Sequence, residues 1–344
     1  MNEAVFYNVL ALQANGSYGT LELLWQRFKS WSKAYEAVGR GIAFKPEAEW
    51  QRLERLGVKL ILREDPSFPA LLKEISSMPF GLYYRGAKIG PEAKIAIVGT
   101  RRASTSGTTA ARKLAAEIAA AGVTIVSGLA FGIDVASHTG ALEVGGQAIA
   151  VLASGCNLIT PQTNRPFGEK ILNQGGTILS EYPLDCAAKP ERFLERNRIV
   201  SGLSKGILII EAPIRSGTQA TARFAIEQNR EVFVVPGSIT DSNFEGSHEL
   251  LKQGATLVTS SQDVLASLGI EPVKKAQQML RGAANQLTPE EHLILAALAK
   301  KNIPLHSDAI VAQTSLPESV VHQTLTVLVV QGLITETAGR YLLV

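Results

Sequence analysis

The first part of the chain, up to about residue 60, has apolar residues at helical spacing. The pattern runs through AVFYNVLALQA, LELLWQRF and EAEWQRLERLGV, with glycine-containing turns between these segments. Repeats of this period predict short amphipathic helices. A proline-marked connector follows, REDPSFPALLKEISSMPFGLYYRGA. We therefore predict a small helical domain over residues 1–63.

From Lys94 onward the pattern changes to short apolar runs separated by longer helical segments. The runs are KIAIVG, VTIVSG, QAIAVLAS, TILSEY, GILIIEA and EVFVVPG, and a weaker one, ATLVTS, comes later. Strands that alternate with helices in this way predict βαβ units and a parallel sheet covered on both faces. The prediction is an α/β domain over residues 64–270.

The last part of the chain begins with a polar segment that we predict to be a linker, residues 271–286. Residues 287–344 then follow the pattern of three helices and two short strands, which resembles a winged helix. The third helix, PESVVHQTLTVLVVQG, carries His322 but no Lys or Arg. Helices that read the major groove normally bring basic or amide residues to DNA. A protein contact or an auxiliary role is therefore the better expectation for this domain.

Composition agrees with a well-packed chain of two or three domains. Of 344 residues, 46% are hydrophobic and 19% are charged, and the net charge of +3 permits a polyanionic partner without requiring one. Two cysteines and no Cys/His cluster predict neither a disulfide framework nor a metal site, and no cofactor is expected. The chain shows no secretory signal and no apolar run long enough to span a bilayer, so we expect a cytoplasmic protein without a membrane partner.

The residues directly after each predicted strand carry the candidate chemistry, because ligands of such sheets bind beyond the strands' carboxyl ends. GTRRASTSG follows the first strand and leads into a helix. Gly99 allows close backbone approach, the helix N-terminus offers free N–H groups, and Arg101 and Arg102 add guanidinium groups suited to phosphate. The alternative is that Gly99 only forms the turn and the arginines are solvated.

The segment SGLAFGIDVASH follows the second strand. Gly128 and Gly132 bracket a turn, and Asp134 falls in the first turn of the next helix, where it either caps that helix or contacts a ligand. His138 is predicted to be a core histidine. No Ser or Cys nucleophile stands near it in a triad-like pattern, so no catalytic residue is predicted.

Two further segments add positive charge at the same edge of the sheet. Ser216, Gly217 and Thr218 open a helix beside Arg215 and form a second candidate anion site. The stretch KPERFLERNRIVSGLS mixes basic and apolar residues densely, which indicates either an ordinary amphipathic helix or guanidinium groups that face an anion. A row of such sites suits a chain of phosphates better than one mononucleotide.

These motifs occur in the order in which the DNA-processing protein A family (DprA/Smf) has them. IVGTRRAS, SGLAFGIDVASH, VLASGCNLITP, FLERNRIVSGLS and EAPIRSGTQATARFAIEQNREVFVVPG resemble that family closely, and the resemblance is dense over residues 60–270. It implies an extended Rossmann-like domain between an N-terminal SAM-like helical domain and a C-terminal winged helix.

The resemblance also implies a function. Members of the family are non-catalytic, bind and protect incoming single-stranded DNA during natural transformation, load RecA recombinase and antagonise the single-strand-binding protein. A homodimer is expected through the segment around His248 to Thr259. The expected DNA-binding residues combine phosphate contacts, backbone amides and the Phe193 ring as a stacking face, namely Gly99, Thr100, Arg101, Arg102, Gly128, Lys189, Phe193, Arg196, Asn197, Arg198, Ser216, Gly217 and Thr218.

Alternatives of other classes remain open from the sequence. Phe193 could pack into the core from its helix. A phosphoribohydrolase-like enzyme of the lysine-decarboxylase-like superfamily would need a PGGxGT-type loop and a glutamate, where this chain has RSGTQATARFA. An adaptor that works only through the winged helix would not bind DNA through residues 60–270.

Overall fold

The computed structural model describes residues 2–270, 288–299, 305–330, 334–337 and 339–343. The chain forms two compact units, Met1–Val273 and Lys274–Val344. The predicted linker, residues 271–286, lies outside the described residues, and the predicted bounds of the four segments stay predictions. Within the described ranges, none of the helices combines the length and hydrophobicity needed to cross a lipid bilayer.

The chain begins with short helices, as the sequence predicts, and the structure has four where the apolar pattern marked three segments. They are α1 (Glu3–Gln13), α2 (Tyr18–Phe28), α3 (Trp31–Val38) and α4 (Pro46–Arg55). Ser17 and Ser30 cap α2 and α3, because each side chain accepts from the backbone N–H three residues on. Tyr7 packs edge-on against Trp31, with 5.0 Å between ring centroids, and both belong to one core cluster with Tyr83 of the sheet. The helices therefore share a hydrophobic core with the sheet.

One large sheet organises the first unit. Its strands are β1 (Lys59–Leu62), β2 (Gly81–Gly86), β3 (Lys94–Val98), β4 (Thr124–Ser127), β5 (Ala148–Val151), β6 (Thr177–Ser180), β7 (Gly206–Ile209), β8 (Glu231–Val234) and β9 (Thr256–Leu257). Their order is β1-β2-β6-β5-β4-β3-β7-β8-β9. Strands β3 to β9 pair in parallel, β2 pairs antiparallel with β6, and β1 pairs antiparallel with β2 at the edge of the sheet.

Helices cover both faces of this sheet. They are α5 (Thr105–Ala120), α6 (Ile133–Glu143), α7 (Arg165–Asn173), α8 (Pro190–Gly202), α9 (Gly217–Glu227), α10 (Glu245–Lys252) and α11 (Ser261–Ser267). Side chains alternate across the central strand β3: Ala96 and Val98 pack in the cluster that contains Ile199 of α8, and Ile95 packs in the cluster of α5. The predicted α/β class, with a parallel-dominated sheet, is confirmed.

The connector is more ordered than the sequence predicts. β1 and β2 form an antiparallel pair in which Lys59 lies opposite Tyr84, and Tyr83 of β2 lies opposite Ser180 of β6. Between them Ala70–Glu74 forms a short 3-10 helix. The segment predicted as a connector thus contains β2 and the 3-10 helix, and β1 lies just before it, at the end of the predicted helical domain. The prolines of the segment fall between the two strands, so they interrupt neither one.

The second unit contains α12 (Pro289–Ala299), β10 (Leu305–His306), α13 (Ser307–Thr314), α14 (Glu318–Val330), β11 (Ile334–Thr337) and β12 (Arg340–Leu343). Its strands pair in the order β10-β12-β11. Ile294, Ile310 and Leu325, one from each helix, form its core. Helices with a hairpin in this arrangement confirm the predicted winged helix.

Candidate nucleic-acid interface

A cleft of about 550 Å³ lies beyond the carboxyl ends of β3, β4 and β7, between α8 and the start of α9. We refer to it as the cleft. Asp134 and Leu194 are among the residues that line it. Ten of the predicted site residues also line it: Gly99, Thr100, Arg101, Arg102, Gly128, Phe193, Arg196, Asn197, Gly217 and Thr218. The structure therefore brings together segments that are more than a hundred residues apart in sequence.

A buried carboxylate fixes the loop between β3 and α5. The Ser104 side chain caps α5 by accepting from Gly107 N at 2.9 Å. The backbone N–H of Ser104 donates to Glu211 Oε2 at 3.0 Å. Glu211 is fully buried and also accepts from Asn243 Nδ2 at 3.1 Å. Its carbonyl accepts from Thr100 N at 2.8 Å. These bonds define the backbone at the rim of the cleft.

The mouth of the cleft carries two arginines, Arg101 and Arg102, that form no ion pairs within the described chain. Arg101 and Arg102 are exposed, and in the described part of the chain neither guanidinium has an ion pair or a hydrogen bond. The Arg101 guanidinium lies 4.7 Å from the centroid of the Phe193 ring, which is half-buried. The ring lines the cleft, so the alternative of a purely core Phe193 is not what the structure shows. A cation and an aromatic face are available to a ligand at one place.

The inner wall of the cleft is built around Arg196. This residue is only 3% exposed and donates from Nη1 to the carbonyls of Gly128, at 2.8 Å, and Val151. Burial lowers the pKa of Arg196 to about 10, which leaves it charged at neutral pH. A Cβ at Gly128 would lie 2.3 Å from Arg196 Nη2, so glycine is required here to make room for the guanidinium.

Asp134 holds the loop between β4 and α6. Its Oδ2 accepts from Gly128 N at 3.1 Å and from Ala130 N at 3.2 Å. Both N–H groups lie in the loop before α6, so Asp134 holds this loop and does not cap the helix, which was one of the two roles that the sequence offered. Burial raises the pKa of Asp134, while the charge of Arg196 acts in the opposite direction. His138 on the same helix is fully buried, as predicted, and burial lowers its pKa to about 3. Neither ring nitrogen of His138 has a hydrogen-bond partner among the described residues.

Three predicted residues do not line the cleft. We expected Arg198 to contact DNA, but its guanidinium forms two hydrogen bonds to the Glu181 carboxylate, at 3.0 and 2.6 Å, and both side chains are buried. Its charge is satisfied inside the protein and does not face the cleft. Lys189 is exposed just before α8 but is not part of the lining. Ser216 lines a neighbouring depression instead.

Arg192 on the same helix also points inward. It donates to Cys186 Sγ at 2.7 Å and to the carbonyl of Asn15 at 2.6 Å, which joins α8 to the turn after α1. Dense basic and apolar residues on α8 therefore reflect interior contacts to a large extent.

The family of this protein follows from comparison with known sequences. The family model described as DNA recombination-mediator protein A matches residues 59–269, a segment that contains every strand of the large sheet and all the residues that line the cleft. The chain belongs to the DNA recombination-mediator protein A family. A second model, for the DprA winged helix domain, matches residues 280–340.

Individual relatives agree. The chain is 43% identical over 217 residues to protein Smf of Escherichia coli, covering 63% of this chain and 58% of that protein. It is 37% identical over 316 residues to protein Smf of Synechocystis, covering 81% and 78%. The matched segment thus spans less than two thirds of the length of the Escherichia coli protein.

Solved structures of the family have the same fold. The X-ray structure of DNA processing protein A from Streptococcus pneumoniae matches with a TM-score of 0.63 at 32% identity, covering 77% of this chain and 93% of that one. DNA processing protein A from Helicobacter pylori, described for its single-stranded DNA binding mode, matches with a TM-score of 0.55 at 30% identity, covering 61% and 95%.

Sequence reasoning missed two residues that shape this family member's cleft. Glu211 and Asn243 both bind the loop that carries Arg102, and Asn243 Nδ2 also reaches the Arg102 carbonyl at 3.3 Å. A signal existed for Glu211, because a carboxylate directly after the apolar run GILII must be buried with a partner. No comparable signal marks Asn243.

Proposed function

We propose that the cleft binds single-stranded DNA without sequence preference and that the protein is a non-catalytic DNA-binding protein. One observation carries the proposal: the unpaired guanidinium groups of Arg101 and Arg102 lie at the mouth of the same cleft as the Phe193 ring. A strand of nucleic acid offers phosphates and flat bases in alternation, which matches cations beside an aromatic face.

Phosphates supply most of the binding energy in this mechanism. Arg101 and Arg102 contact successive phosphate groups, and each contact releases condensed counterions, so affinity falls as salt rises. Backbone N–H groups near Gly99 and Gly217 contact further phosphate oxygens without reading sequence. Lys189, exposed beside the cleft, adds positive potential along the approach.

The Phe193 ring supplies the preference for single strands. A base can stack on the ring only when it is unstacked from its neighbours, and a duplex would have to open first. Every base has a π-face, so stacking does not select a sequence. Arg196 shapes the wall behind the ring and presents its buried positive charge to the cleft.

The enzyme alternative finds less support in the cleft. Among the described residues that line it, the one carboxylate is Asp134, which already accepts two backbone N–H bonds. A general acid or base must be free to exchange a proton with a substrate. Release of free base from nucleoside monophosphates by the purified protein would reverse this preference.

Membership of the family supports a wider role. We infer that the protein protects incoming single-stranded DNA in the cytoplasm during natural transformation, loads RecA recombinase onto it and competes with the single-strand-binding protein. We also infer a homodimer through the segment around His248 to Thr259. In support, β9 is the outer strand of the sheet within the described chain and its Leu257 is 51% exposed.

The test is binding of labelled single- and double-stranded oligonucleotides over a range of salt concentrations. We expect tight binding of the single strand and weak binding of the duplex. Arg101→Ala should weaken single-strand binding and reduce the salt slope by about 0.7, the value for one lost phosphate contact. Lys113→Ala is the matched control, because Lys113 is exposed on α5 and lines no part of the cleft. Equal slopes for the two variants would reject the assigned role of Arg101.

A further inference from the structure

The surface beside the cleft contains a second depression, which we call the side groove. It has a volume of about 450 Å³ and is lined by Leu194, Ile214, Arg215, Ser216, Gly217, Gln219, Ala220 and Arg223. Leu194 and Gly217 line the cleft as well as the side groove. The two depressions therefore adjoin at Leu194 of α8 and Gly217 at the start of α9.

We propose that a DNA strand held in the cleft continues across Gly217 into the side groove, where Arg215 and Arg223 bind its next phosphates. This inference rests on the proposed function, because it describes where the strand goes once the cleft is filled. It assigns a role to Arg223, which lies on α9 outside the strand-end loops.

Charge in the side groove supports this path. Arg215 and Arg223 are exposed, and the described residues provide neither guanidinium with an ion pair or a hydrogen-bond acceptor. No acidic side chain is among the residues that line the groove. Two guanidinium groups without a counter-charge create a local positive potential that attracts phosphate.

The side groove also exposes two large apolar side chains. Leu194 is 49% exposed and Ile214 is 55% exposed, and both stand beside the arginines. Bases that leave the cleft can lie against these side chains while their phosphates turn toward the guanidinium groups. Apolar and cationic groups in one groove fit a single strand better than a duplex, because the flat faces of duplex bases are covered by stacking.

The junction between the two depressions leaves room for a chain to pass. A Cβ built at Gly217 would meet no atom within 4 Å, so this position faces open space. The Ser216 side chain forms no capping bond to α9, and its Oγ has no hydrogen-bond partner among the described residues. Because the Ser216 Oγ is buried, the open path across the junction runs over Gly217 and not over the Ser216 hydroxyl.

Oligothymidylates of increasing length distinguish the two parts of the path. Full-length protein, Arg215→Ala/Arg223→Ala and the control Lys33→Ala/Lys113→Ala are titrated with each length. The control removes the same charge from two exposed positions outside both depressions. We expect the shortest oligonucleotides that bind to have equal affinity for all three proteins.

Longer oligonucleotides should separate the variants. Affinity for the wild-type and control proteins is expected to keep rising with length, whereas that of Arg215→Ala/Arg223→Ala reaches its plateau earlier. On the longest oligonucleotide the salt slope of this variant should be smaller by about 1.4, corresponding to two phosphate contacts. A plateau and slope equal to those of the control would overturn the inference, as would an equal loss at every length, which would place both arginines in the cleft itself. If the wild-type protein binds no length, the proposed function fails first.

Discussion

Helix α8 and the loop after β3 both carry arginines, and the two regions use them in opposite ways. Arg192 and Arg198 are buried, and each donates to acceptors within the protein. Arg101 and Arg102 are exposed, and their guanidinium groups have no such acceptor in the described chain. Arg196 belongs to the first group by its bonds but lines the same cleft as the second.

The buried arginines stabilise the shape of the domain, whereas the exposed ones are free to bind a ligand. A guanidinium that is buried must be fully paired or hydrogen-bonded, because the loss of its hydration would otherwise cost several kcal/mol. An exposed guanidinium without a partner contributes little to folding but is free to meet a phosphate. Density of arginine in a sequence therefore does not identify a binding surface until the acceptors are known.

The largest expected effect is a loss of stability when a buried arginine is removed. Arg198→Ala leaves the buried Glu181 carboxylate without its partner, and we expect a loss of about 3–5 kcal/mol in the free energy of unfolding. Single-strand affinity, corrected for the folded fraction, should be unchanged. Urea unfolding and oligonucleotide titration measure the two quantities separately.

The control for this prediction replaces both partners. Arg198→Met/Glu181→Leu removes the pair and leaves no unpaired charge, so it should recover much of the lost stability. If Arg198→Ala were instead stable but defective in DNA binding, Arg198 would belong with the mouth arginines, and the contrast between the two regions would break down.

The second effect is the pH dependence of stability that arises from the buried His138, whose pKa the charge of Arg196 also lowers. Its pKa is about 3 in the folded protein against an ordinary value of 6.5, so between these values the unfolded chain binds more protons. The neutral His138 ring therefore does not reduce the free energy of unfolding well above pH 6.5. As the pH falls, protonation of the unfolded chain lowers that free energy, by about 2 kcal/mol at pH 5. Asp134, whose pKa is raised, acts with the opposite sign above its ordinary value of 3.8.

Comparison with His138→Leu isolates the histidine. The variant lacks the titrating ring, so its free energy of unfolding should fall less than that of the wild type between pH 7 and pH 5. Urea titrations of both proteins at the two pH values give the difference. Parallel losses in the two proteins would mean that His138 can become protonated without unfolding, and that the inner wall is less closed than its burial indicates.

The smallest expected effect is on single-strand affinity, when the Phe193 ring at the mouth of the cleft is removed. Phe193→Ala removes the stacking face, and we expect single-strand affinity to fall about fivefold, near 1 kcal/mol and the low end of the range for one stacked base. Phe193→Leu is the control that keeps apolar volume without a π-face, and it should bind nearly as weakly. Full affinity in Phe193→Leu would show that the ring acts by packing and not by stacking.

Much of the fold could be predicted from the sequence, because the parallel strands are short apolar runs with helices between them. The runs KIAIVG and EVFVVPG both become strands close to the predicted positions. β1 and β2 were missed, since a proline-containing segment separates them. β1 pairs antiparallel with β2 and β2 pairs antiparallel with β6, and local sequence does not specify either pairing.

The cleft was predictable to the extent that parallel strands bring their carboxyl ends to one edge. Gly99, Gly128 and Gly217 could be grouped on that argument alone. Arg198 could not be placed, because its acceptor Glu181 lies 17 residues earlier in a loop whose position is decided by tertiary packing. Pairing of charges is a property of the whole fold, and local composition does not reveal it.

The bonds of Arg196 have a consequence for the thermodynamics of binding. By holding the carbonyls of Gly128 and Val151, which follow or end neighbouring strands, this side chain loses its rotameric freedom when the protein folds. That ordering entropy is not lost again when a ligand arrives, so only the side chains of the mouth need to become ordered. A wall that is already ordered, with exposed arginines in front of it, can accommodate strands of varied sequence at similar affinity.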